Sequence, residues 1–468
     1  MQLALPTAVR TIITALADGG GRPLIVGGAV RDALLGDTPK DFDVEVYGLA
    51  PEAVVGILAT VGAVNAVGVT FGVLKVALAD AEIDVTLPRR ENKVGRGHRG
   101  FLVDLDPTMT PEEAARRRDF TINAMAYDPL RGELLDYCGG LDDLRSRVLR
   151  HAGPAFAEDP LRVLRGVQFA GRFDLRAASA TLDLSRRLFA EHRELTIERV
   201  WNEWRKWAAK SRRPSAGLVL LEEAGWRVAH PELEALAGCP QDPRWHPEGD
   251  VWTHTLLVCD EAARVAERDA LAPDDRMTLV LAALCHDLGK PATTADTSEG
   301  VRSPAHAAAE ETYRQFLTRI GAPAKVTDRV VALSRAHLTH LDFAGSARHV
   351  RRLARTLGEA GETIEMLARL VEADEGGRPP YPARMPSQMA DLLAKARELA
   401  AADAAPRPLL LGRHLLEVGF PAGPALGAIL DQAYEAQLDG AFDTVEDARR
   451  WVLARRRPPG AETKCSTD

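Results

Sequence analysis

The chain has 468 residues, 46% of them hydrophobic and 27% charged, with 59 Lys and Arg against 67 Asp and Glu. That length exceeds what one core usually serves, so about two to four domains are expected, and the apolar content excludes a disordered chain. A net charge of −8 excludes a chain that is basic throughout, although a local Lys and Arg patch is enough to engage the phosphates of RNA. Short β-like runs at residues 24–26, 42–47, 73–79 and 82–86, punctuated by Gly and Asp, predict a mixed α/β or α+β domain over residues 1–145. Beyond residue 145 the strand signals fade. Residues 161–173, 196–210 and 215–224 carry apolar side chains at helical spacing, and the rest of the chain reads as all-helical. Pro/Gly-rich stretches at residues 238–249, 376–386 and 406–412 mark breaks, and the tail from residue 455 is expected to fray. The longest apolar run, residues 279–285, is far too short for a membrane span, and Arg10 interrupts the N-terminal apolar stretch, so no signal peptide is expected. Five cysteines (138, 239, 259, 285 and 465) include no CxxC pair. Reduced thiols in a cytoplasmic protein are expected.

Chemistry concentrates in two places. Leu24-Ile25-Val26-Gly27-Gly28-Ala29-Val30-Arg31-Asp32 reads as a strand, a glycine turn and a helix start, where backbone N–H groups can approach a phosphate. In Lys40-Asp41-Phe42-Asp43-Val44-Glu45-Val46 the strand period places Asp41, Asp43 and Glu45 on one face and Phe42, Val44 and Val46 on the other. Glu82-Ile83-Asp84-Val85 repeats the pattern. Acidic residues on two adjacent strands could hold two divalent cations that activate a 3′-hydroxyl and stabilise leaving pyrophosphate. An Asp-x-Asp pair alone is more often a solvated face; with the Gly-Gly turn and Asp84, the metal reading becomes the better one. Arg116-Arg117-Arg118-Asp119-Phe120-Thr121-Ile122-Asn123-Ala124 sets cations beside an Asp and an Asn, which suits triphosphate oxygens and a ribose hydroxyl. Glu158-Asp159-Pro160-Leu161-Arg162-Val163-Leu164-Arg165 looks like a helix start with Asp159 as N-cap and Pro160 in the first turn, which needs no function to explain it.

In this order and spacing, residues 27–43, 117–124 and 158–162 resemble the class II tRNA nucleotidyltransferases, the bacterial CCA-adding enzymes. Residues 68–73 and 97–101 are similar to the same family, and the resemblance runs from about residue 24 to about residue 440. It implies a polymerase-beta-like head over residues 1–145, a nucleotide-selecting helical neck over 146–235, a body over 236–385 and a tRNA-binding tail over 386–468. Carried over, Asp41 and Asp43 would be magnesium ligands. Gly28, Arg31, Arg118, Asp119, Asn123 and Arg165 would hold the nucleotide, and Asp159 and Arg162 would read its base. Asp84 is an extension of that set as the third carboxylate, with Glu82 its rival. The base-reading pair also has a reason of its own. Asp only accepts hydrogen bonds and Arg only donates them, and at i and i+3 they can share a helical face. Cytosine and adenine both present an amino donor beside a ring-nitrogen acceptor, whereas guanine and uracil present the reverse.

The second place begins at Trp252-Thr253-His254-Thr255 and continues at Cys285-His286-Asp287-Leu288-Gly289-Lys290. A His or Asp among Leu and Ala must find a partner or bear a metal. With His306, His337 and Asp374, these residues resemble the HD phosphohydrolase pattern. Six such residues in order favour a metal site over satisfied core histidines. Imidazole and carboxylate together suit a divalent transition metal, whose bound hydroxide could attack a phosphoester. His340 competes with His337, while His246, His349 and His414 read as surface or packing residues. An N-terminal nucleotidyltransferase joined to an HD domain resembles one branch of bacterial CCA-adding enzymes, in which the HD domain is linked to phosphatase and 2′,3′-cyclic phosphodiesterase activity. Expected partners are tRNA, CTP and ATP. Rivals are an A-adding enzyme or poly(A) polymerase, and an HD phosphohydrolase with a non-catalytic nucleotide-binding head. The intact segment 89–101 argues against a further rival, a CC-adding enzyme, in whose relatives this loop tends to be altered, and residues 68–73 look more CCA-like than poly(A)-polymerase-like. Both bare carboxylates, Asp41 and Asp43, argue against a mere binding module.

Overall fold

The computed structural model describes residues 3–39, 41–65, 72–78, 81–93, 101–298 and 300–455. Lys40, residues 68–71, residues 97–100 and the tail from 456 lie outside them. The chain divides into two compact units, one of residues 1–234 with 319–321 and one of residues 235–318 with 322–468. In the first unit the strands are β1 (Arg22–Val26), β2 (Asp43–Tyr47), β3 (Ala63–Asn65), β4 (Val73–Ala77), β5 (Glu82–Thr86), β6 (Arg89–Lys93), β7 (Phe101–Leu105), β8 (Ala126–Asp128) and β9 (Glu133–Leu135). Seven of them form one sheet in the order β3-β4-β5-β2-β1-β8-β9. Its ladders are antiparallel except between β2 and β5. Strands β6 and β7 make a separate antiparallel ribbon. Leu24, Ile25 and Val26 are apolar on both faces, which only an interior strand can satisfy, and β1 lies between β2 and β8. Helix Thr7–Asp18 buries Val9, Ile12, Ile13 and Leu16, spaced as one apolar stripe, and packs on β1 and on helix Pro51–Leu58.

The rest of the protein is largely helical, as its 3.6-residue periodicity predicts. Among the described residues, a two-stranded parallel piece (Val148–Leu149 with Arg176–Ala177) and a small hairpin (Ala295–Thr297 with Gly300–Arg302) interrupt it. Helix Leu161–Phe173 is packed by Ile197–Lys210 and Pro214–Glu223, each within a residue of the predicted bounds. In the second unit Val251–Arg268, Pro273–Cys285, Ala324–Ala336 and Ile364–Gly376 pack together, and all nine residues from Met277 to Cys285 are buried. A separate small core of Leu410, Leu415, Ala433, Phe442, Ala448 and Val452 holds the last helices. Among the described residues no helix is long and apolar enough to cross a membrane.

Close packing in the neck depends on a missing side chain. A Cβ on Gly217 would lie 2.4 Å from the Val167 carbonyl oxygen and 2.9 Å from the Trp207 ring. Neither a backbone carbonyl nor a buried indole can swing aside. Gly217→Ala is therefore expected to destabilise the first unit by about 1–3 kcal/mol, read as a lower urea midpoint with an unchanged slope. An unchanged midpoint would show that the two helices can separate without cost.

Candidate active sites

The head site forms at one end of β2. The parallel register sets Asp43 opposite Asp84, while Glu82 lies at the start of β5, opposite Ala77. Asp41 and Asp43 are exposed, with Phe42 and Val44 buried, as the alternation predicts. Glu45 departs from that pattern. It is buried, and its Oε2 accepts from Tyr47 Oη at 2.7 Å and from Arg118 Nη2 at 3.2 Å. The reason is that β2 is interior to the sheet and is covered on this face by the Arg118 segment. Gly27, rather than Gly28, takes the conformation that glycine alone adopts readily, at φ 73°. A Cβ there would approach Arg118 Nη1 at 3.3 Å and Asp43 Oδ2 at 3.7 Å. Partial burial pushes the Asp43 carboxyl above its ordinary pKa; Arg118 opposes this, and Asp84, Asp41 and Glu45 add to it. A cluster of carboxylates that raises the pKa of its own member is one that a divalent cation would relieve, so these donors fit a hard metal. Lys75 bridges exposed Glu82 at 2.6 Å and half-buried Asp84 at 3.5 Å, so the two rivals for the third carboxylate share one cation.

Beneath the site runs a buried polar chain. Arg31 donates to Asp32 Oδ1 at 2.8 and 2.6 Å and to Asn123 Oδ1, and its guanidinium stacks 4.4 Å from the Phe173 ring centroid. Asn123 in turn donates to Asp119 Oδ1 at 3.0 Å, and Arg165 grips Asp119 Oδ2 with two bonds of 2.9 and 2.6 Å. Four residues predicted to hold nucleotide thus bond one another and tie the head to the first neck helix. Asp159 and Arg162 do come to the same helix start, but the helix begins at Leu161, so Asp159 lies before it. Asp159 accepts from the Leu161 N–H at 3.1 Å and from Arg199 Nη2 at 2.7 Å. Arg162 donates to the carbonyls of Ala155 at 2.6 Å and Arg117 at 3.1 Å. Arg199, forty positions from Asp159 on another helix, gave no sign in the sequence. Neither did Lys210, whose ammonium pKa is lowered by burial and by Arg172, Lys206 and Arg205, and raised by Asp41.

In the second unit the predicted residues converge from separate elements: His254 from Val251–Arg268, His286 and Asp287 beyond Pro273–Cys285, His306 from a short 3-10 turn, His337 after Ala324–Ala336, and Asp374 from Ile364–Gly376. All six are buried. Gly289 serves close approach, since a Cβ there would strike the His306 carbonyl oxygen at 2.2 Å; its φ of −81° is ordinary. His254 Nε2 lies 3.1 Å from Asp374 Oδ1 and 3.8 Å from Asp287 Oδ2, and His286 Nε2 is 3.2 Å from Asp287 Oδ2. His306 Nε2 faces the other oxygen, Oδ1, at 3.2 Å. Asp287 is thus shared by two ligand groups, one with His254 and His286 and one with His306 and His337. His340 is in neither group. Its Nδ1 bonds the His337 carbonyl at 2.9 Å.

These side chains fit a metal. Nδ1 of His286, His306 and His337 each meets a backbone carbonyl, of Ala283, Ser303 and Ser334, at 2.8, 2.7 and 2.6 Å. A carbonyl can only accept, so Nδ1 carries the proton and Nε2 keeps its lone pair, the tautomer a ligand needs. Nε2 of His286 and of His306 and both Asp287 oxygens are buried without a hydrogen bond, although Lys290 ion-pairs Asp287 Oδ2 at 2.6 Å. Burial would raise the carboxyl pKa of Asp287, but His286 and Lys290 hold it well below the usual range, while burial and His286 push His337 down to about 3. Lys290 gave no sign in the sequence of this contact, and His246 gave none of its partner. That histidine is half-buried, 2.9 Å from Glu248, and its ring centroid is 4.8 Å from that of His254.

Comparison with known proteins follows the same division. Residues 24–150 match the family model of the Poly A polymerase head domain, and residues 251–404 match that of the HD domain. The multifunctional CCA protein of Stenotrophomonas maltophilia (strain R551-3) is 40% identical over 375 residues, covering 76% of this chain and 86% of that protein. The chain belongs to the multifunctional CCA protein family. Its counterpart in Xanthomonas campestris pv. campestris (strain B100) is 39% identical over 398 residues, covering 81% of this chain and 92% of that protein. The fold is shared more widely. The Bacillus stearothermophilus CCA-adding enzyme in complex with CTP superposes with a TM-score of 0.62 at 23% identity, over 96% of this chain and 98% of that one. The Thermotoga maritima CCA-adding enzyme complexed with tRNA gives 0.58 at 18%, over 96% of each.

The buried chain below the head site makes a pH-dependent contribution. Asp119 has its pKa lowered in the fold, because burial, which would raise it, is outweighed by Arg165, Asn123 and the Phe120 N–H. The contribution is therefore complete above the unfolded value of about 3.9 and is lost as pH falls through the lower folded value. Asp119→Asn is expected to cost about 1.5–3 kcal/mol at pH 7. The gap between variant and wild-type melting temperatures should hold from pH 7 to about 5 and close below about 4. A gap unchanged at low pH would assign the loss to shape rather than charge.

Proposed function

We propose that this protein builds and repairs the 3′-terminal CCA of tRNA from CTP and ATP without a nucleic-acid template, acting in the cytoplasm, and that its HD site hydrolyses phosphoesters. The observation that carries the first activity is the register of Asp43 beside Asp84, under a glycine turn that brings Arg118 to the same carboxylates, in a chain of the CCA family. Asp41 and Asp43, with Asp84, would hold Mg²⁺, which on binding favours ionisation of the primer's 3′-hydroxyl and offsets charge on the departing pyrophosphate. Arg118 acts on the charge of Asp43 and is suited to triphosphate oxygens. The basic end of helix Ile197–Lys210, with Lys210 near Arg172, Lys206, Arg205 and Asp41, suits the phosphates of the RNA end. Asp159 and Arg162 supply the acceptor and donor that cytosine and adenine share. In the described geometry both are engaged by protein groups, so each exchanges a partner when a base enters.

The HD residues would hold a divalent transition metal, which supplies a hydroxide nucleophile at neutral pH. Asp287, Asp374 and the four histidines would hold it, and Lys290, paired with Asp287 and with Gln241 Oε1 at 2.8 Å, would supply a positive charge for the phosphoester. The domain division proposed is a head to residue 145, a neck to 235, the HD body to 385 and a tail beyond.

One experiment addresses both activities. Wild type, Asp43→Ala and His286→Ala are each given tRNA lacking CCA with each labelled nucleotide in turn. Separately they are given a 2′,3′-cyclic nucleotide after chelation and return of magnesium, nickel, manganese or cobalt. Asp43→Ala should lose addition and keep hydrolysis, and His286→Ala should do the opposite. Addition of A alone by wild type would favour the A-adding rival. Addition by Asp43→Ala within a few-fold of wild type would remove that residue from the site.

Base choice has its own test. Arg162→Ala should lose preference for C and A over G and U by roughly 5- to 150-fold, the equivalent of about 1–3 kcal/mol for one lost buried partner. Equal slowing on all four nucleotides would leave Arg162 with only its bonds to Ala155 and Arg117.

A further inference from the structure

The histidines of the HD site are oriented in two different ways. Three of them, His286, His306 and His337, donate from Nδ1 to a main-chain carbonyl three residues back, so local backbone alone sets their tautomer. His254 does not share this arrangement. Its Nδ1 lies 2.8 Å from Glu248 Oε1, and the nearest carbonyl, that of Gly377, is farther at 3.3 Å. The same Glu248 oxygen receives Nδ1 of His246 at 2.9 Å. The Glu248 side chain is 1% exposed, and its other oxygen, Oε2, is buried without a hydrogen bond. A buried carboxylate with one oxygen bonded by two imidazoles and the other unbonded is costly for a loop to retain if it served only packing.

We propose that Glu248 is a positioning residue of the HD metal site, which acts through His254, with His246 fixing Glu248 in place. The inference rests on the reading of the HD residues as metal ligands. A carboxylate can only accept, so the contact keeps a proton on His254 Nδ1, and Nε2, which bonds Asp374 Oδ1 at 3.1 Å, is the nitrogen left to take a metal once its own proton is released to solvent. Unlike a carbonyl, it also carries a full charge, which makes the imidazole a stronger donor toward a cation. His254 is also the ligand whose carbonyl partner is the most distant of the four, Gly377 at 3.3 Å against 2.6–2.8 Å for the others, which is where an added side chain has most to contribute. His246 cannot replace Glu248, because its own Nδ1 is occupied by the same oxygen.

The test uses the full chain, stripped of metal and titrated with Co²⁺, following the visible absorption of the bound ion and measuring affinity by chelator competition. Wild type, Glu248→Ala, Glu248→Gln, His246→Ala and Asp287→Ala are compared, with a melting curve for each. Glu248→Ala should bind the same number of ions about 10- to 100-fold more weakly, with an altered absorption spectrum. Glu248→Gln, whose amide oxygen still accepts, should recover most of the affinity, and CCA addition should be unaffected in both. His246→Ala should give a smaller loss in the same direction. Affinity within about threefold of wild type in a folded Glu248→Ala would overturn the proposal. Loss of one whole equivalent of metal would also overturn it, by making Glu248 a ligand of a separate ion. If Glu248→Ala does not fold, the Gln variant decides alone: wild-type spectrum and affinity support positioning by an acceptor, and a loss as large as that of Asp287→Ala contradicts it. Failure of the underlying reading has a different signature, because then wild type itself would bind no Co²⁺, or Asp287→Ala would bind it as well as wild type.

Discussion

The chemistry of the head hangs on one register. Strand β5 runs parallel to β2 in a sheet whose other ladders are antiparallel, and this pairing alone sets Asp84 against Asp43. A slip of one residue would turn Asp43 inward and bring Val44 or Phe42 to the surface. Burial of Val44, Ile83 and Val85 therefore fixes the position of the carboxylates more firmly than any contact the carboxylates make. Around that fixed point the protein places cations by size and reach. Arg118 comes from a segment after the ribbon, and Gly27 keeps its side of the cleft clear. Below, the chain from Asp32 through Arg31, Asn123 and Asp119 to Arg165 holds the strand end, the glycine turn and the first neck helix as one piece.

The second unit solves a different problem. Asp287 and Asp374 are buried carboxylates, and a buried charge needs partners. The helices satisfy this by converging their ends, so that imidazoles turned inward by main-chain carbonyls surround both oxygens of Asp287. Exposed carboxylates on a strand suit a hard, readily exchanged cation, while a buried set of imidazole and carboxylate suits a transition metal held longer. One polypeptide thus carries two donor sets of different chemistry, each built from the secondary structure its sequence favours.

Much of this was legible in the sequence. Strand alternation and helical spacing placed β2, β5 and the neck helices within about a residue, because apolar periodicity is a local property. The His286-Asp287 pair is conspicuous among Leu and Ala, and the resemblance to the HD pattern brings His254, His306, His337 and Asp374 to it. What escaped were contacts between distant segments. Glu45 was expected on the open face with Asp41 and Asp43, since alternation cannot report that Tyr47 and Arg118 close over it. Asp159 and Arg162 were paired by helical spacing, yet the helix starts one residue later and Asp159 finds Arg199 instead. His246 looked partnerless because Glu248 folds back within a loop that has no period to read. Gly27 and Gly28 were indistinguishable until the backbone gave one of them a positive φ.

The account stands or falls on where the head binds its cation. Crystals of the full chain soaked with CTP and Mn²⁺ and measured for anomalous scattering give the answer directly. A peak in contact with the carboxylates of Asp41 and Asp43, on the side of Asp84, is the result expected. A cation seated on Glu82 and away from Asp43, or no peak near β2 while the nucleotide is bound, would contradict it.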